Sequence, residues 1–92
     1  MNPNLDPEKF YRTEDMSLAT FLRLEGHTPQ QVGWILNDCY WWFLITDDLL
    51  EAVHAFDSGE AIVEPREYNR EFHKTRQQMF ATKEPIAPAN AS

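Results

Sequence analysis

The sequence predicts a small α+β domain: an antiparallel sheet, built from a central hairpin and a short edge strand, packed with three helices in the order β-α-β-β-α-(β)-α. Three observations predict it. Two β-rich runs, 32–36 and 39–45, flank the turn-prone pair Asn37-Asp38 and contain all three tryptophans of the chain. Apolar residues recur at helical spacing on both sides of that hairpin, with capping residues before them and glycines after. A chain of 92 residues, 42% hydrophobic and 13% aromatic, suffices for one packed core and leaves little room for a second.

Residues 1–9 contain two prolines and no periodicity and read as a loose leader. Phe10 to Arg12 is a short strand, needed because a lone hairpin is marginal in water. Thr13 is placed to cap a first helix, with Glu14 and Asp15 in the first turn, where negative charge suits the helix dipole. Leu18, Ala19, Phe21 and Leu22 form its apolar stripe, Arg23 and Glu25 face solvent, and Gly26 stops it. His27-Thr28-Pro29 leads into the hairpin, since proline permits strand entry and not helix continuation.

With Asn37 and Asp38 as the loop, Trp34 faces Trp41 and Val32 faces Phe43. One face then carries Val32, Trp34, Leu36, Cys39, Trp41, Phe43 and Ile45, all apolar; the other carries Gln31, Gly33, Ile35, Tyr40, Trp42 and Leu44. A slip of one residue in the pairing would exchange the faces. Thr46 caps a second helix that opens on Asp47 and Asp48, shows Leu49, Ala52, Val53 and Phe56 on one side, and ends at Ser58-Gly59. Ala61 to Val63 is a short extended piece, a candidate sheet edge. Pro65 opens a third helix that runs to about Ala81, with Tyr68, Phe72, Thr75 and Met79 inward and Phe80 flanking. The domain spans 10–83, and 84–92 reads as a disordered tail.

The net charge of -7 is uneven: residues 1–64 hold three basic and twelve acidic groups, and residues 65–92 five and three, so -9 and +2. An acidic body argues against general nucleic-acid binding and favours basic partners, among them proteins whose nucleic-acid grooves it would occupy. The single cysteine, Cys39, excludes an internal disulfide. It implies a reducing compartment, and with no apolar run of about 20 residues and no signal pattern the expected location is the cytoplasm.

The order Phe10-Tyr11-Arg12-Thr13-x-Asp15-Met16-x-Leu18-Ala19, Leu24-x-Gly26-His27, Cys39-Tyr40-Trp41-Trp42-Phe43 and Phe56-x-x-Gly59-x-Ala61-x-Val63-x-Pro65-x-x-Tyr68 resembles a family of short uncharacterised domains. These domains of unknown function occur in bacterial, phage and mobile-element proteins. The resemblance covers roughly residues 10–80. It implies a compact unit of strand, helix, hairpin, helix and helix, and it implies no activity and no site residue.

Few residues carry chemistry. Glu51-x-x-His54 has the spacing of a helical metal site, but such sites need further ligands from other helices, and a solvated acidic face is the reading preferred. Cys39 with His27, His54 or His73 would make a nucleophile and base, yet a strand thiol among aromatics lacks the electropositive, accessible setting that makes thiolates. No cofactor, metal or phosphate-cradling loop is expected, so the chain reads as non-enzymatic. Two surfaces are candidates for binding. Ile35, Tyr40, Trp42 and Leu44 on the outer hairpin face are either covered by the first or third helix or stand as anchors for a homodimer or another protein. Arg66, Arg70, Lys74 and Arg76 form a basic row on the third helix, a solvated face or a phosphate-contacting ridge. The leading reading is a small acidic interaction protein, associated with a phage or mobile element, that binds a protein partner; the alternative is a nucleic-acid-binding module using the basic row and the hairpin aromatics.

Overall fold

The computed structural model describes residues 5–82. Three strands, β1 (Phe10–Thr13), β2 (Gln31–Ile35) and β3 (Asp38–Leu44), form one antiparallel sheet in the order β1-β3-β2. Three helices follow or separate them: α1 (Met16–Leu24), α2 (Asp47–Ser58) and α3 (Pro65–Thr82). The short amino-terminal strand thus completes the sheet, and the α+β architecture is the one the sequence predicts. Ala61 to Val63 is different: it takes no regular structure, and Ile62 stands 90% exposed. With no partner strand beside it among the described residues, its β-branched composition has no ladder to join.

Alternation along the strands sorts the sheet into two faces. Tyr11 and Thr13 of β1, Val32 and Trp34 of β2, and Cys39, Trp41 and Phe43 of β3 turn inward. There they meet Leu18, Phe21 and Leu22 of α1 and Leu49, Ala52 and Val53 of α2 in one core. Trp41 and Phe43 are at most 1% exposed, each worth roughly 1.5–3 kcal/mol or more by area removed from water. Trp41 Nε1 finds no hydrogen-bond partner among the described residues. The unpaired N–H costs about 1–3 kcal/mol, which the burial of the ring outweighs.

The hairpin turn sits one residue earlier than expected. Ile35 pairs with Asp38, Trp34 with Cys39 and Val32 with Trp41, so Leu36 and Asn37 make the loop. Moving a turn by one residue shifts the pairing by two. Side chains alternate with a period of two, so the same residues still face the core. What changes is who meets whom. The two indoles of Trp34 and Trp41, opposed in the expected register, instead face a cysteine and a valine, and Gly33 lies opposite Tyr40. Large rings opposite small or branched partners leave room for the helices above.

The ends of α1 and α2 follow capping chemistry. For α1 the cap is Asp15, whose carboxylate accepts from the backbone N–H of Ser17 at 2.9 Å and Leu18 at 3.3 Å. Thr13, expected there, remains the last residue of β1, and its hydroxyl accepts from the Asp15 N–H at 3.0 Å. Strand pairing to Trp41 holds Thr13 extended, so the helix starts two residues later. Thr46 caps α2 as expected, accepting from Leu49 N–H at 3.0 Å, and Gly59 closes it at a φ of 81° that other residues rarely adopt.

Helix α3 has one fully buried side chain among the described residues, Thr75, so apolar burial is not its main tether. Polar contacts to the rest of the molecule hold it. Arg23, expected in solvent, donates from Nε to Glu71 Oε2 at 2.9 Å and from Nη1 to Gln78 Oε1. Tyr68 donates to the Ser17 carbonyl at 3.3 Å and Trp34 Nε1 to the Met79 carbonyl at 3.2 Å. At the closest approach, buried Thr20 and Thr75 lie 3.2 Å apart, oxygen to oxygen, each also donating to its own helix backbone, at Met16 and Glu71. Each hydroxyl has one proton, so that contact is a hydrogen bond only when one of them releases its carbonyl. The absence of bulk at both positions is what lets α1 and α3 come together.

Candidate functional site

The helices stack on the inner face, and among the described residues no helix crosses the outer one. Neither α1 nor α3 supplies the cover that one reading of the sequence required. The outer face carries Phe10 and Arg12 of β1, Gln31, Gly33 and Ile35 of β2, and Tyr40, Trp42 and Leu44 of β3. Trp42 sits in the middle strand with Arg12 and Gln31 as its cross-strand partners and is only 1% exposed. Of the two alternatives for this face, covered or exposed, Trp42 itself is buried, though no described helix lies over it, and it does not protrude as an anchor. Tyr40 is half-buried, its ring centroid 6.0 Å from that of Trp42. The Arg12 guanidinium lies over Tyr40, 4.6 Å from the ring centre, a cation–π contact worth about 0.5–1 kcal/mol where water reaches it. Ile35 is half-buried and Leu44 is 50% exposed.

Beside Trp42, at the β1 edge of the sheet, lies a groove of about 570 Å³ lined by Leu5, Pro7, Phe10, Arg12 and Trp42, with Tyr11 and Ile45, which also pack against the core, completing it. Part of its wall comes from the segment expected to be a loose leader. Residues 6–9 instead form a turn, with Lys9 and Phe10 N–H donating to the Asp6 carbonyl at 3.0 Å, and the Lys9 carbonyl accepts from Ile45 N–H at 2.9 Å. Residues 1–4, and the tail 84–92, lie outside the described residues. The groove had no signal in the sequence, because Leu5 and Pro7 reach Ile45 only through the pairing of β1 with β3.

The basic row divides on the helix. Arg66, Arg70, Lys74 and Arg76 are all exposed. At 3.6 residues per turn the first three share a stripe, while Arg76 stands about 160° around the axis from Lys74. There its guanidinium lies 5.7 Å from the centre of the Phe80 ring. Lys74 Nζ is 4.0 Å from Glu71, whose carboxylate Arg23 already holds. Arg66 and Arg70 form no ion pair among the described residues.

The other candidate residues come together differently from their spacing. Glu51 and His54 are exposed, and Glu51 lines a shallow groove of about 380 Å³ with Glu25, His27 and Asp48 in place of His54. No group of three His, Cys, Asp or Glu side chains among the described residues is placed to hold a metal ion. Cys39 is buried in the core. Burial pushes its thiol up to about 11, with the Thr82 side chain pulling the smaller opposite way, so the thiolate that nucleophilic chemistry requires is suppressed at neutral pH. No described helix is long and apolar enough to cross a membrane.

The chain matches no protein-family model, no curated protein and no solved structure.

Proposed function

We propose that this chain is a small non-enzymatic interaction protein that docks on a protein partner through the outer face of its sheet. One observation carries the reading. A three-stranded sheet has its helices on one side, and the other side, uncrossed by any described helix, carries an apolar groove lined in part by Phe10, Arg12 and Trp42, with Leu44, the cross-strand partner of Phe10, half exposed on the same face. Apolar concavities with a few polar groups at the rim suit the anchors of a partner. The acidic charge of residues 1–64 favours a partner with a basic surface. The resemblance to short phage and mobile-element domains supplies a biological setting for this reading and nothing about the partner. Affinity capture from cells that make the protein tests it. The wild type is expected to retain a protein that Leu44→Glu loses, with unchanged circular dichroism. Equal capture by both baits would refute the assignment of the face.

A second reading rests on the exposed stripe of Arg66, Arg70 and Lys74, which would contact phosphates of a nucleic acid. Binding to an oligonucleotide at low salt, lost in the double variant Arg70→Glu, Lys74→Glu, supports it. No shift at low salt removes it.

A further inference from the structure

The core closes without α3. Among the described residues the buried apolar cluster is drawn from α1, β3 and α2, and α3 adds to it only the partly buried Met79. Its one fully buried side chain, Thr75, is polar. The helix is held by polar contacts: Tyr68 to the Ser17 carbonyl, Glu71 and Gln78 to Arg23, and the Met79 carbonyl to Trp34 Nε1. Water replaces such bonds when the helix leaves, so each holds it weakly, whereas no solvent replaces lost apolar burial. The helix also carries its own start. Glu64 Oε1 accepts from the Glu67 N–H at 2.9 Å, and the Glu64 carbonyl from the Tyr68 N–H at 2.9 Å. On the near side, the Ala61 N–H donates to the Ala55 carbonyl at 3.0 Å, and Ala61 packs against the core. Between these two anchored ends lie Ile62 and Val63, both exposed and without regular structure.

Under the last turn of α3 lies Cys39. It is 6% exposed, sits opposite Trp34 in the sheet, and has the Thr82 side chain against its thiol. We infer that α3 is a hinged latch: it swings off as one unit about Ile62-Val63 while the sheet, α1 and α2 stay assembled, and its release uncovers Trp34 and Cys39. The bonds that cap its start lie within the unit, so opening breaks none of them at that end. Leaving the apolar cluster whole but for one methionine, the motion costs a fraction of global unfolding, as local opening of a weakly packed element does. The open state presents an indole and a thiol that the closed state withholds. Once off, an 18-residue helix is marginal in water, so its own amides exchange during each opening.

Labelling of native Cys39 by iodoacetamide at pH 8, followed by mass, reads the opening. Burial holds the closed thiol at about 11, so reaction passes through the open state. The wild type is expected to react far more slowly than the urea-unfolded chain, yet faster than the global unfolding equilibrium from urea melts allows. Glu71→Gln, which takes the ion pair from Arg23, should raise the rate about tenfold, the equivalent of one charge-assisted hydrogen bond. Thr46→Ala removes the cap of α2 at the end of that helix away from the hinge. It should lower the urea midpoint and leave the labelling rate unchanged. Hydrogen exchange of the wild type, read by mass, needs neither variant nor thiol: the amides of α3 should exchange together and ahead of those of β3. A labelling rate that rises in both variants in step with their loss of global stability overturns the latch, because the thiol then opens only with the whole domain. A rate that Glu71→Gln leaves unchanged means that the last turn alone frays, and overturns the motion as a unit. Exchange of α3 in step with β3 overturns it as well.

Discussion

Replacing Leu36 by glycine is expected to make the protein more stable, although it deletes an apolar side chain. The leucine is 93% exposed, so almost no burial is lost, and its φ of 56° places the side chain against its own carbonyl. Relief of left-handed geometry is worth about 1–2 kcal/mol. Glycine gives back roughly 0.5–1 kcal/mol through the extra freedom of the unfolded chain. The central values leave a net gain of about 0.8 kcal/mol, within a span of about 0–1.5 kcal/mol. In a domain of this size that is a rise in Tm of roughly 2–8 °C. Urea unfolding followed by the fluorescence of the three tryptophans is the assay, and the midpoint should rise with the slope unchanged. A midpoint that falls would show that the turn does not sit at Leu36-Asn37, and the pairing of β2 with β3 would have to be redrawn.

Asp15→Ala should cost about 1 kcal/mol through loss of the α1 cap, read by thermal melting. Equal stability of the variant and the wild type would contradict Asp15 as the cap. Glu71→Gln should lower stability by about 1–2 kcal/mol, because Arg23 is left half-buried beside a neutral partner. A double-mutant cycle with Arg23→Ala should return a coupling above 0.5 kcal/mol, well beyond an exposed pair. Alkali should destabilise the fold in a particular window. The Cys39 thiol rises from 9.0 to about 11 on folding, so its contribution is complete below pH 9 and is lost as pH climbs through about 11. Burial, then Asp57 and Asp15, push Tyr11 in the same direction. Cys39→Ala should flatten the first part of that decline in urea melts at rising pH, and native Cys39 should resist alkylation at pH 8.

Local chemistry in the sequence determined the elements and the sides of the sheet. Thr46 with two following aspartates, and Gly59 after Ser58, place both ends of α2 through hydrogen bonds made within a few residues. The alternation of β2 and β3 marks Trp41 and Phe43 as core residues whichever of the two turns forms, because the two pairings differ by a whole period. That same periodicity is why the turn itself was not legible. Asn37-Asp38 is the better local turn, and Leu36-Asn37 wins because it sets each core indole opposite a small or branched residue and lets Trp34 reach the Met79 carbonyl. Only the tertiary structure decided the rest. Arg23 became a tether once α3 brought Glu71 and Gln78 beside it, partners 48 and 55 residues away. The groove exists because β1 pairs with β3 and draws Leu5 and Pro7 to Trp42 and Ile45. A binding surface assembled from such distant segments leaves no spacing in the chain, whereas a cap or an amphipathic stripe is written within one or two turns.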